Sequence, residues 1–147
     1  MSDAPRHPLH PAFVHFPIAF WMSAVVLDLV QGSALLPRIP GVEGFALAHL
    51  MVWMGLVAAI PAIALGLFDY ARLPQAIQNS RPMQLHMICM GTAWLLFLAA
   101  GLWRIETGNF ADPPNVAVIL LEILGAICLV VGGAAAARVV FGLLPGE

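Results

Sequence analysis

Four apolar runs, each long enough to cross a bilayer, leave this chain few folds to choose from. A transmembrane helix needs about 20 predominantly apolar residues, and four such stretches fit into 147 residues. The spans are expected at 11–30, 45–68, 83–103 and 116–141. Between them lie QGSALLPRIPGVEG, DYARLPQAIQNSRP and ETGNFADPPN, each broken by proline, glycine or polar residues. The middle one has room for a short interfacial helix. In hydrocarbon, backbone groups must be satisfied within a helix or a closed barrel. The expected fold is therefore all-α: a single transmembrane domain over 1–147, an integral membrane four-helix up-down bundle.

Composition agrees. The chain is 61% hydrophobic and 10% charged, against about 25% charged in soluble domains. All six basic residues are arginines, and no basic run points to nucleic acid. Cys89 and Cys128 lie inside apolar runs and read as small buried hydrophobes. The first dozen residues are rich in proline and histidine, unlike a cleavable leader, so the first span is expected to be retained. Arg6, Arg72, Arg81 and Arg138 fall on the N-terminal side of the bundle, Arg38 and Arg104 on the other. That imbalance favours both termini in the cytoplasm.

Threading the spans up and down sorts the ionisable residues into two layers. His7, His10, His15, Asp69, Arg72, Arg81, His86 and Arg138 share the cytoplasmic layer, and Asp28, His49, Arg104, Glu106 and Glu122 the opposite one. Within the first layer a spacing recurs: Pro11 precedes His15, and Pro82 precedes His86, by four residues each. Proline suits the first position of a helix, and four residues advance about 6 Å. Both histidines are thus expected one turn inside a span, at similar depth. Pro11/Pro82 and His15/His86 stand 71 positions apart, and Gly55 and Gly125 nearly the same distance apart, which suggests a two-helix repeat.

Ionisable groups inside a membrane are costly and mark functional sites by default. Spans 1 and 3 are diagonal in an up-down bundle, about 12–14 Å apart. Two imidazoles at that distance are too far apart to touch and well placed to hold a ligand between them. His15 and His86 are therefore the candidate axial ligands of a b-type haem, with His10 as a further candidate. Arg72, Arg81 and Arg138 are candidate partners for its propionates, and Asp69 for fixing a histidine tautomer. Hydrogen-bonded packing is the competing account of each histidine. A zinc site from His10, His15, Asp69 and His86 is less favoured, because no tight local motif gathers these residues. Met83, Met87 and Met90 read as core fillers. Glu122 is placed either to snorkel or to pair with Arg104, and His49 to pair with Asp28 or Glu122. Asp69 ends its span where the helix dipole disfavours an acid, so a compensating cation such as Arg72 is expected. Pro17 and Pro61 are expected to kink their helices.

The opening HPLHPAFVHFPIAF resembles that of a bacterial four-helix membrane family known only as a domain of unknown function, number 2231. Its first span carries a His-Pro-x-x-x-His-Phe-Pro-Ile pattern, here His10 to Ile18. A Gly-x-x-Asp motif closing the second span, here Gly66–Asp69, and an embedded histidine opening the third, here His86, extend the similarity. The resemblance implies four spans in a bacterial inner membrane and no defined activity. The chain carries no P-loop, nucleophile motif or metalloprotease helix, so a free-standing enzyme is not expected. The reading favoured by the residues is a small electron-transfer subunit with bis-histidine haem near the cytoplasmic face, embedded in the lipid bilayer and partnered by other membrane or redox subunits. A proton or ion relay through the His/Asp cluster, and a cofactor-free accessory subunit, remain as alternatives.

Overall fold

The computed structural model describes residues 10–32, 43–107, 110 and 112–142. They form α1 (His10–Gly32), α2 (Gly44–Tyr70), the single-turn α3 (Gln75–Gln78), α4 (Arg81–Thr107) and α5 (Val116–Val140), with no strand among the described residues. His7, Arg6 and Arg38 lie outside them. The four long helices are each long and apolar enough to cross a membrane. At 1.5 Å per residue they run about 34–41 Å, more than the roughly 30 Å of hydrocarbon, so each end reaches the headgroup region.

The ends are set locally. The Asn115 side chain caps α5 by accepting from the Ala117 amide at 2.9 Å, which satisfies one of the helix's open donors. Gln78 Nε2 donates to the carbonyls of Tyr70 (3.1 Å) and Leu73 (2.8 Å), folding the α2–α4 connection back on itself. α1 and α2 continue through Pro17 and Pro61.

α1 lies along α2, and α4 along α5; α2 meets α4 and α1 meets α5 to close the ring. α1 and α4 are therefore diagonal. The diagonal is bridged in the core by Trp21 and Phe97, whose rings stack at 4.7 Å with planes 1° apart. Each ring also presses into a glycine on the other helix of its own hairpin. A Cβ on Gly55 would run into the Trp21 indole, and one on Gly125 would come within 2.7 Å of Phe97. Small residues at such crossings let membrane helices approach closely.

These contacts expose an internal repeat. Moving 76 positions from α1 takes the buried set Pro17, Trp21, Ala24, Val25 and Asp28 onto Ala93, Phe97, Ala100, Gly101 and Arg104, all buried. Moving 70 positions from α2 takes Ala48, Val52, Gly55, Leu56, Ala59 and Ala62 onto Val118, Glu122, Gly125, Ala126, Leu129 and Gly132, again all buried. The two hairpins are copies in packing register, related by a pseudo-twofold along the bundle. Trp21 stacks on its own counterpart. The repeat of Gly55 on Gly125 fits this register. The repeat of His15 on His86 does not: the counterpart of His86 is His10.

Candidate functional site

The polar residues collect at the two ends of the bundle, as the threading requires. At the end where α1 and α4 begin, His10 and His86 occupy equivalent places. His10 is half-buried, and its Nδ1 lies 2.8 Å from the carbonyl oxygen of Ala62 on α2. His86 is half-buried, and its Nδ1 lies 3.0 Å from the carbonyl oxygen of Gly132 on α5. Ala62 and Gly132 are themselves counterparts in the repeat.

A carbonyl oxygen only accepts, so each Nδ1 must donate its hydrogen. In the neutral imidazole that leaves the lone pair on Nε2. Both rings are thus held in one tautomer by a main-chain group of the neighbouring helix. Missing side chains make the approach possible. A Cβ on Gly66 would sit 2.9 Å from His10 Cε1, and one on Gly132 would sit 2.9 Å from Cys89 Cβ. His10 lies seven residues before Pro17 and eleven before Trp21. Those intervals return to the same helix face, so the ring belongs to the face that lines the bundle.

The remaining candidates at this end lie apart from that pair. His15 is exposed, off the buried face of α1. The structure does not bring it onto His86 among the described contacts. Asp69 is half-buried at the end of α2, and its main-chain oxygen accepts from the Arg72 amide at 3.1 Å. The Arg72 guanidinium lies over the Phe68 ring at 3.6 Å, a cation–π contact, and no ion pair joins it to Asp69 among the described residues. Arg81 and Arg138 are exposed. The histidine tautomers are set by helix carbonyls and not by Asp69.

The opposite end holds a buried ionic triad. Arg104 Nη2 contacts Asp28 Oδ2, and Arg104 Nε and Nη2 reach Glu122 Oε1 at 3.2 and 2.9 Å. Asp28 and Glu122 are 0% exposed and Arg104 is 5% exposed. The triad therefore ties α1, α4 and α5 together in a place where solvent does not screen it. The expected Arg104–Glu122 pairing is present. Asp28 joins it from the diagonal helix, a connection that sequence position alone does not give. His49 pairs with neither acid among the described residues. Its ring stacks on Phe110 at 4.1 Å and meets the edge of Trp53 at 6.3 Å.

Among the described residues, no three His, Cys, Asp or Glu side chains gather as a metal site, and Cys89 and Cys128 are free thiols. The chemistry on offer is thus two oriented imidazoles at one end and two carboxyls around one guanidinium at the other. A family model described as a predicted membrane protein family (DUF2231) matches residues 6–143. No curated protein and no solved structure matches the chain.

Proposed function

The chain belongs to the DUF2231 family of predicted membrane proteins, and we propose that it serves as a small electron-transfer subunit holding one b-type haem between His10 and His86. One observation carries this reading. Two counterpart histidines on diagonal helices each commit Nδ1–H to a main-chain carbonyl. Metal-bound histidines nearly always spend their second nitrogen in this way, which fixes the ring and strengthens the ligating nitrogen. Both Nε2 lone pairs are then kept for a metal. The residues present suit such a group: the imidazoles of His10 and His86 would hold it, and Arg72, Arg81 and Arg138 are cations at the same end that would meet its carboxylates.

A bound haem would supply reversible one-electron chemistry. The protein's own part is to hold the two rings and shelter them. The stacked Trp21–Phe97 layer lies about three turns deeper and closes the bundle core beneath the histidines. In this reading the site sits near the cytoplasmic face of a bacterial inner membrane, exchanging electrons with a partner subunit or a membrane-soluble carrier. His15, exposed on another face of α1, is left outside the ligand pair.

One observation favours the accessory reading instead: the same two bonds already cross-link each hairpin, which is a complete structural role. The absorbance spectrum separates them. Protein purified from haem-replete cells should show a Soret band and a six-coordinate reduced spectrum. His10→Ala and His86→Ala should each abolish the band, and His15→Ala should keep it. A colourless preparation overturns the haem reading. Loss of the band in His15→Ala alone would move the ligand from His10 to His15.

A further inference from the structure

The triad at the other end counts wrongly for a sealed site. It places two acids around one base, all within 5% of full burial. A guanidinium brings one positive charge. With both carboxyls ionised these three side chains carry a net negative charge, the charge balance of the site among the described residues, and a buried charge left uncompensated is strongly destabilising. One further proton makes the cluster neutral.

The oxygen atoms show where that proton belongs. Arg104 engages Oδ2 of Asp28 and Oε1 of Glu122. The other oxygens, Asp28 Oδ1 and Glu122 Oε2, are buried and have no hydrogen-bond partner among the described residues. Both carboxyl groups reach the same guanidinium nitrogen, Arg104 Nη2, which draws them together. Two carboxylates only accept, and facing each other they repel. A single hydrogen turns the contact into a donor and an acceptor, as in other carboxyl pairs that share one site.

We infer that Asp28 and Glu122 hold one proton between them, forming a proton-binding site buried at the end of the bundle remote from His10. The proton comes from water and returns to it; one O–H bond forms and breaks, with no other reactant. Every packed helix contributes to its surroundings. α1 gives Asp28, α4 gives Arg104, and α5 gives Glu122. α2 offers Val52 at the position equivalent to Glu122 and, about one turn before it, His49. Glu106 and Asp112 are exposed beyond the cluster at the same end. Because the pair belongs to a unit, its titration is that of the pair and not of either residue.

Infrared spectroscopy tests this on the full chain in nanodiscs at neutral pH. The expected result is a carboxylic-acid C=O stretch that shifts in heavy water and disappears completely in Glu122→Gln and in Asp28→Asn. Each substitution leaves one carboxylate against Arg104, so neither variant needs the proton. Carbonyl-labelled aspartate or glutamate, incorporated into the unaltered chain, should move the band and keeps the test decisive if a variant fails to fold. The thermal midpoint of the unaltered chain should fall as pH rises from the ordinary carboxyl range until the folded pair has lost its proton, and that of Glu122→Gln should not fall by this route. Absence of the band in the unaltered chain, its survival in both variants, or indifference to both labels would overturn the inference. None of these readouts involves haem.

Discussion

The α1–α2 and α4–α5 hairpins share a packing register but not a chemistry. At counterpart positions the small residues and the rings are kept: Gly55 with Gly125, Trp21 with Phe97, and His10 with His86. At the far end they diverge. Asp28 faces its counterpart Arg104, and the apolar Val52 answers to Glu122. The outer seams diverge as well. Between α2 and α4, Trp53 packs over Gly101 so closely that a Cβ there would come within 3.4 Å of the indole. Between α1 and α5, the smaller counterpart Ile123 leaves an open apolar groove with Val25 and Leu29. The difference has a physical basis. A pseudo-twofold brings equal positions together, and equal rings stack well across it. Equal charges would repel, so the charged positions can only be used after the copies have become unlike.

The strongest way to break this comparison is to remove the charge that the symmetry could not supply. Arg104→Leu should cost about 3–5 kcal/mol, because it strands two buried acids; the loss of folded protein in thermal melts would measure it. Little change there would mean that the triad does not hold the diagonal together. Next comes the stacked pair. Phe97→Ala should fall at the lower end of the roughly 3–5 kcal/mol seen for buried aromatics, since separated helices keep the ring in lipid. A double-mutant cycle with Trp21→Ala should return a coupling of about 0.5–1.5 kcal/mol for the stack. Zero coupling would make the stack incidental.

The glycines sharpen the comparison further. Gly55→Ala and Gly125→Ala each overpack a crossing, at about 1–3 kcal/mol. Gly55→Ala should be the worse of the two. The Trp21 indole it strikes is tethered by its Nε1–H to the Val52 carbonyl at 3.2 Å, whereas Phe97 has no polar tether. Equal losses, read from thermal midpoints, would show that the tether does not restrain the ring.

What could be read from the sequence follows what hydropathy measures. Runs of apolar residues mark helices that cross a membrane, and their order fixes an up-down bundle of two layers. Facing is another matter, because in lipid nearly every position is apolar and no amphipathic stripe points inward. Spacing from a proline placed His15 and His86 in register at 71 positions, but proline marks where a helix begins, not which side packs. The interior register is 76 on α1/α4 and 70 on α2/α5, and only Gly55/Gly125 carried it visibly. Arg104 and Glu122 were legible as a pair. Asp28 was legible as belonging to the same layer, yet its contact runs across the diagonal, where no local spacing reports.

The smallest expected effect is also the one that decides what the shared register of His10 and His86 is for. Each ring makes one hydrogen bond to a helix carbonyl, worth about 0.5–1.5 kcal/mol and nearer 0.6 kcal/mol inside a membrane bundle. His10→Ala and His86→Ala should therefore destabilise the cofactor-free protein by similar small amounts. The bonds lie in different hairpins and share no partner, so the losses should add in the double variant. Protein made in haem-replete cells should behave differently. If both rings hold one haem, the first substitution already removes most of what binding contributes, and the second adds little. Additive losses under both conditions would leave the histidines as two separate locks, and the two hairpins as copies that share packing alone.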